Sequence, residues 1–200
     1  LLDGKMTWQW VGGTDDPKEK HTTSFNAQEK TAGDHRKTFL AGTPSMVDGA
    51  IYHVTLSGRD RAENQAEPVT IENLTFDVTP PYIVASRPAP MSSINNDTVS
   101  FSLSETLNSG AIVWTPHPRF SGRASGFSYD LIEEFLHEGL HENISMELYT
   151  FLQSGVTYSV SFEGKDLAGN DASGTVAENV TFDNTPPVIT ILSPTNSSSV

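Results

Sequence analysis

Asp77-Val78-Thr79-Pro80-Pro81 returns 106 residues later as Asp183-Asn184-Thr185-Pro186-Pro187. Upstream, Gly58-Arg59-Asp60-Arg61-Ala62-Glu63-Asn64 is matched at the same offset by Gly164-Lys165-Asp166-Leu167-Ala168-Gly169-Asn170. Asn73-Leu74-Thr75-Phe76 likewise matches Asn179-Val180-Thr181-Phe182. The offset holds without gaps at Trp8/Trp114, Gly33/Gly139, His35/His141, Gly49/Gly155, Tyr52/Tyr158 and Pro88/Pro194. Self-similarity at a fixed period marks a repeat architecture, and a period of about a hundred residues is the size of one small domain. The expectation is a tandem array cut from something longer. Residues 1–78 form a domain without its beginning, 79–184 a complete repeat, and 185–200 the first strand of a third.

The strand pattern runs outward from these repeats. Met6, Trp8 and Trp10 share one face, as do Tyr52, Val54 and Leu56, Val99, Phe101 and Leu103, and Tyr158, Val160 and Phe162. Period-two alternation broken by Gly, Asn, Asp and Pro clusters predicts strands with one face packed inward. The predicted fold is all-β: antiparallel sandwiches joined by Thr-Pro-Pro hinges. For the complete repeat the pattern predicts seven strands with Trp114 and Tyr158 in the core, and it places strands over 82–86, 98–104, 111–115, 157–163 and 175–183. Residues 116–147 differ most between the copies. There Tyr129-Asp130-Leu131-Ile132-Glu133-Glu134-Phe135-Leu136 spaces its apolar residues as a short amphipathic helix would, but the aligned Gln28-Glu29-Lys30 stretch has no such face.

Composition narrows the function. Twelve basic against 25 acidic residues give a formal charge of -13, which leaves no cationic footprint for nucleic acid. Such a surplus suggests divalent cations as partners, although acidity also serves solubility. No stretch is long enough to span a membrane. Cysteine is absent, so disulfides do not stabilise the domains.

Leu152-Gln153-Ser154-Gly155-Val156-Thr157-Tyr158-Ser159-Val160, followed by Asp166-Leu167-Ala168-Gly169-Asn170, resembles the corner and hairpin of fibronectin-type-III and bacterial Ig-like domains. Thr79-Pro80-Pro81, Val99-Ser100-Phe101-Ser102-Leu103-Ser104-Glu105 and the closing Asp183-Asn184-Thr185-Pro186-Pro187 are similar to the Ig-like repeats of very large bacterial surface proteins. The resemblance implies tandem Ig-like domains at the cell surface and a tyrosine corner at Tyr158, its hydroxyl bonded to nearby backbone. It also implies a structural role: a repeat of an extended extracellular filament or adhesin stalk, stiffened by the paired prolines. Partners would be neighbouring repeats of the same chain, with lateral or head-to-tail self-assembly. Two alternatives stand beside it: a carbohydrate- or protein-binding module acting through the variable segment, or an accessory domain of a secreted enzyme. An exposed aromatic patch in that segment would favour binding.

In a sandwich, the loops after 98–104 and 157–163 lie at the pole where the first strand enters. Glu105, Asp166 and the hinge residue Asp77 are therefore expected to converge there, with Asn170 or backbone carbonyls nearby, as a calcium site. The competing reading is that Asp166 and Asn170 only cap a turn. Asp60 and Asn64, and Asp183, are the equivalent positions of incomplete junctions.

No catalytic constellation is legible. There is no Gly-x-Ser-x-Gly elbow and no phosphate-binding glycine loop, so no enzyme is expected. His137 and His141 have the spacing of a helical zinc pair, but only His141 has a counterpart, His35, and hydrogen-bonded histidines are the expectation. Asn73, Asn96, Asn143, Asn179 and Asn196 stand in Asn-x-Ser/Thr sequons, which are glycan acceptors in a secreted eukaryotic protein. At 73 and 179 the alternative is shared strand sequence.

Overall fold

The alternating runs around Trp8 and Tyr52 become two long neighbouring strands, β1 (Asp3–Gly13) and β3 (Ala50–Arg59), with Trp8 opposite Val54. The computed structural model describes residues 1–36, 44–120, 122–147, 151–174 and 176–190, and the chain divides into the units Leu1–Thr79 and Pro80–Val200. In the first unit β2 (Lys20–Ser24) and β4 (Val69–Thr75) flank the central pair, giving one antiparallel sheet of order β2-β1-β3-β4. Its buried apolar centre is small: Ala50, Tyr52 and Val54, with Met6, Trp8, Trp10, Met46, Val47 and Phe76 half-buried against it.

The second unit has two sheets. One, of order β10-β7-β5-β12, contains β5 (Tyr82–Arg87), β7 (Val99–Leu103), β10 (Gly139–Ile144) and β12 (Ser173–Gly174). The other, of order β6-β13-β11-β8-β9, contains β6 (Ser93–Ile94), β8 (Leu107–Pro116), β9 (Phe127–Asp130), β11 (Val156–Asp166) and β13 (Val176–Phe182). Phe101 from the first sheet and Trp114, Tyr158, Val160 and Phe182 from the second are fully buried in one core. Gly110 and Gly164 face each other across β8 and β11 because a Cβ there would meet core leucines: at Gly110 it would lie 2.9 Å from Leu131 Cδ1.

These sheets correct the predicted architecture. Tandem Ig-like sandwiches would give two units of like fold, and an antiparallel sandwich would have no parallel pairs. The first unit is a single sheet. Among its described residues, 33–36, aligned with the start of β10, form no strand. In the second unit both sheets pair strands from its beginning with strands from its end, and both of those pairings are parallel: Ser173 opposite Tyr82, and Thr181 opposite Ser93. Such long-range pairing ties each sheet together across the whole unit. The 106-residue offset is therefore carried by strands of one sheet (β1, β3 and β4 against β8, β11 and β13) and not by a repeated sandwich. Two parallel strands of two residues each are too short to show a period in sequence. The filament or stalk reading fails with the architecture, since reach by repetition requires units that repeat one fold.

Local details follow the chemistry. Tyr52 and Tyr158 each accept a hydrogen bond at the hydroxyl from backbone five residues earlier, Val47 N–H at 3.1 Å and Gln153 N–H at 3.0 Å. The proposed helix at Tyr129–Leu136 resolves into β9 and one 3-10 turn, Glu133–Phe135, because Leu131 is drawn into the core. The expected first strand of a third repeat falls partly on 191–200, outside the described residues, and residues 183–190 contain no strand. Among the described residues no helix is long and apolar enough to cross a membrane.

Candidate metal centre

Asp166 is the last residue of β11, and the chain reverses immediately after it toward β12. Its carboxylate organises that reversal: Oδ1 accepts the N–H groups of Gly169 (2.6 Å) and Asn170 (2.8 Å), and Oδ2 accepts the Asn170 side-chain amide at 2.7 Å. Burial is the largest single influence on this group and pushes its pKa up. The hydrogen bonds from Asn170, Gly169 and Ala168 together outweigh it, so the carboxyl titrates below its ordinary range. An ionised, nearly dehydrated carboxylate is thus held in one orientation.

Two other carboxylates come to it. Glu105 lies in the short connection between β7 and β8, and Asp77 in the segment that leads from β4 toward β5. One carboxylate oxygen from each of Asp77, Glu105 and Asp166 lies within 4.8 Å of the others, with Asp166 buried and the other two half-buried. A cation between three acidic groups so close would neutralise their like charge. This cluster can coordinate a divalent metal ion.

The Asp77 segment is held from its own side by a residue that sequence reasoning passed over. Asp48 accepts the Val78 N–H at 2.8 Å through Oδ1 and the Thr79 hydroxyl through Oδ2, while Asp77 Oδ1 accepts the Thr79 N–H at 3.0 Å. The Thr79 hydroxyl, then the Val78 N–H, keep the Asp48 carboxyl below its usual range. The clue was available at the 106-residue offset: Asp48 aligns with Ser154, whose hydroxyl donates to Asp183 Oδ1 at 3.0 Å.

At the other expected positions the structure shows turn chemistry. Asp60 Oδ1 accepts the N–H groups of Ala62 and Asn64, and Oδ2 accepts the Asn64 amide at 2.9 Å. This is the Asp166–Asn170 turn again, at an exposed site. The Asn64 side-chain amide, then its N–H, hold the Asp60 carboxyl low. Asp183 is held low by the Thr185 N–H and then the Ser154 hydroxyl. So Asp-x-x-x-Asn repeats for a structural reason at both sites, and the turn reading and the cation reading coexist at Asp166.

The remaining candidates separate cleanly. His141 lies in β10, not on a helix; its Nε2–H donates to the His137 carbonyl at 2.8 Å and its ring packs on Phe101, as His35 donates to Thr31. They are no zinc pair. Asn73, Asn143 and Asn179 are exposed with φ of 56, 55 and 60°, each at a register shift in its ladder. Asparagine suits that left-handed bulge position, which accounts for the residue without a glycan. Asn96 is half-buried and caps a turn onto the Thr98 N–H, and Asn196 lies outside the described residues. In the variable segment Phe120, Phe127, Tyr129 and Phe135 pack against the core, so they form no exposed aromatic patch for a ligand.

Sequence reasoning also missed a polar core in the first unit. His21 Nε2 lies 2.6 Å from Asp16 Oδ2, which also accepts the Tyr52 hydroxyl at 2.7 Å, and His21 and Asp16 are 1 % and 2 % exposed. The signal was again the offset, since His21 aligns with Phe127, which packs in the same edge-on fashion near Tyr158.

No protein-family model matches the chain, and no similar curated protein is found at a significant level. The Ig-like and fibronectin-like resemblance of the short motifs therefore does not extend to family membership, and the carboxylate cluster stands on its geometry alone.

Proposed function

We propose that this protein is a non-catalytic, calcium-binding β-sheet protein of the extracellular space, with Asp77, Glu105 and Asp166 as ligands and Asn170 fixing the Asp166 carboxylate. The observation that carries the reading is the convergence of three carboxylate oxygens within 4.8 Å. Two ligands on one ion can be no farther apart than twice the metal–oxygen distance. That limit is about 4.6–5.2 Å for calcium, so the cluster is compatible with a calcium ion. Extracellular calcium modules bind at about 10⁻⁴–10⁻³ M, and the acidic chain suits that setting.

Chelated protein titrated with calcium by calorimetry is expected to bind with a Kd in that range. Calcium at about 10–100 times its Kd should stabilise the fold by about 1.4–2.7 kcal/mol, seen as a higher melting temperature. Asp166→Asn and Glu105→Gln should each weaken both effects, while Asp130→Asn, on β9 and outside the cluster, should leave them intact. Absence of binding heat at millimolar calcium, with no thermal shift, sinks the proposal and leaves Asp166 as a turn residue only.

A further inference from the structure

Two hollows on the sheet faces stand at the same place in the repeat and carry opposite charge. In the second unit a hollow of about 420 Å³ has Ser109, Ala111, Asp130, Glu163, Lys165 and Asp171 in its walls. In the first unit a hollow of about 370 Å³ has Asp3, Lys5, Ser24, Ser57, Arg59 and Gln65, the same positions less 106. Both lie on the sheet face turned away from the buried side chains, since Ala111 alternates with Ile112 along β8 and Lys5 with Met6 along β1. Residues 82–108, ahead of the second hollow in sequence, take no part in its lining, and it is open with that chain in place.

Each hollow contains one ion pair of its own, Arg59 with Asp3 at 2.6 Å in the first and Lys165 with Asp171 in the second. The charge left over sits in one cross-strand row. In the first unit the row is Ser24, Lys5, Ser57 across β2, β1 and β3; in the second it is Asp130, Ala111, Glu163 across β9, β8 and β11. One row has a long cation at its centre between two short side chains. The other has a methyl group at its centre between two carboxylates. Lys5, Asp130 and Glu163 are all exposed and form no ion pair among the described residues. Neighbouring strands lie about 4.8 Å apart, so the Asp130 and Glu163 Cα atoms are about 10 Å from each other, and both side chains can reach one ammonium group above Ala111.

We propose that the first-unit face of one copy of this chain docks on the second-unit face of a second copy, with Lys5 seated over Ala111 between Asp130 and Glu163. Sheets stacked face to face at about 10 Å interdigitate their side chains, and here the long residue of one row meets the short residue of the other. Charge selects the orientation. The chain carries a formal charge of -13, so most encounters between copies set acid against acid, and the Lys5 row is a place where an acidic face finds the opposite sign. The contact is heterologous, because the two faces differ and each copy carries one of each. Asp77, Glu105 and Asp166 take no part in it, so the inference is independent of the cation.

Sedimentation of the full chain in the presence of chelator tests it. At about 0.5 mM protein and about 0.1 M salt the wild-type chain is expected to show a weight-average mass well above that of one chain, since a contact built on few charges binds in the high-micromolar to millimolar range. At about 1 M salt, where the screening length falls from about 10 Å to about 3 Å, the mass should return to that of one chain. Lys5→Glu makes both faces acidic, and Asp130→Lys with Glu163→Lys makes both basic. Each variant should be monomeric with an unchanged circular dichroism spectrum, the substituted positions being exposed. Mixed one to one, the two variants should associate again, because each then meets faces of the opposite sign. A wild-type chain that stays monomeric overturns the proposal. So does an association that persists in about 1 M salt or in either variant alone, or a mixture that stays monomeric.

Discussion

Replacing Trp114 with alanine is expected to destabilise the second unit by about 3–5 kcal/mol, the range for deleting a core aromatic. Trp114 is fully buried, stacks on Phe127 with ring centroids 6.0 Å apart, and meets Tyr158 edge-on at the same distance. Those neighbours come from β9 and β11 on either side, so the hole would open in the middle of a sheet with little freedom to collapse. Trp114→Phe should behave differently. The indole N–H is buried without a hydrogen-bond partner, and leaving such a donor unpaired costs about 1–3 kcal/mol. Phenylalanine removes that donor along with some volume, so the two effects offset and the net cost should stay within about 1.5 kcal/mol. Urea unfolding followed by far-UV circular dichroism distinguishes the cases. Equal costs for the two variants would mean that the packed ring area does not set the stability. Trp8→Ala, at the equivalent but half-buried position, should cost less than Trp114→Ala because less of the ring is withdrawn from water.

That contrast between Trp8 and Trp114 marks how far the sequence could be read. Alternation located the long strands: those predicted over 98–104 and 157–163 appear as Val99–Leu103 and Val156–Asp166. Alternation reports which face is apolar, however, and not whether anything covers it. Trp8 and Trp114 have the same pattern around them and different burial, because covering depends on strands distant in sequence. Parallel pairing was invisible for a related reason, since β6 and β12 are held by backbone hydrogen bonds and two residues carry no periodicity. The convergence of Asp77, Glu105 and Asp166 was legible because each stands at the end of a strand or turn whose position the repeat fixes. Asp48 and Asp16 were not, as their partners are backbone N–H groups and a histidine that leave no spacing signature. Comparing the two copies for changes of chemistry, and not only for identities, would have shown both.

Among the described residues the first unit has a small apolar centre, so its polar core should contribute to its stability. Asp16→Ala is expected to destabilise it by about 3–5 kcal/mol, because the change strands a buried histidine and the Tyr52 hydroxyl beside it. Hydrogen exchange of the β1 and β3 amides is the direct measurement, and unchanged protection would mean that Asp16 only decorates the turn. The pH dependence has a definite sign. Burial pushes the Asp16 pKa up, but the hydrogen bonds from His21, Tyr52 and the Lys18 N–H together bring it below its ordinary value. The folded form therefore holds this proton less readily than the unfolded chain. Its stabilisation is complete above the unfolded carboxyl pKa of about 3.9 and disappears as pH falls through the folded value. Protection of β1 and β3 should collapse in acid in the wild-type chain, and the collapse should be shallower in Asp16→Asn, which starts weaker. The double change Asp16→Val with His21→Phe rebuilds the apolar arrangement that Phe127 has in the second unit. Exchanging a buried polar pair for packed apolar groups is often neutral or stabilising, so this variant should recover most of what Asp16→Ala loses and lose less in acid than the wild-type chain. If it is instead as unstable as Asp16→Ala, the polar pair is needed for the packing of this sheet and not merely tolerated by it.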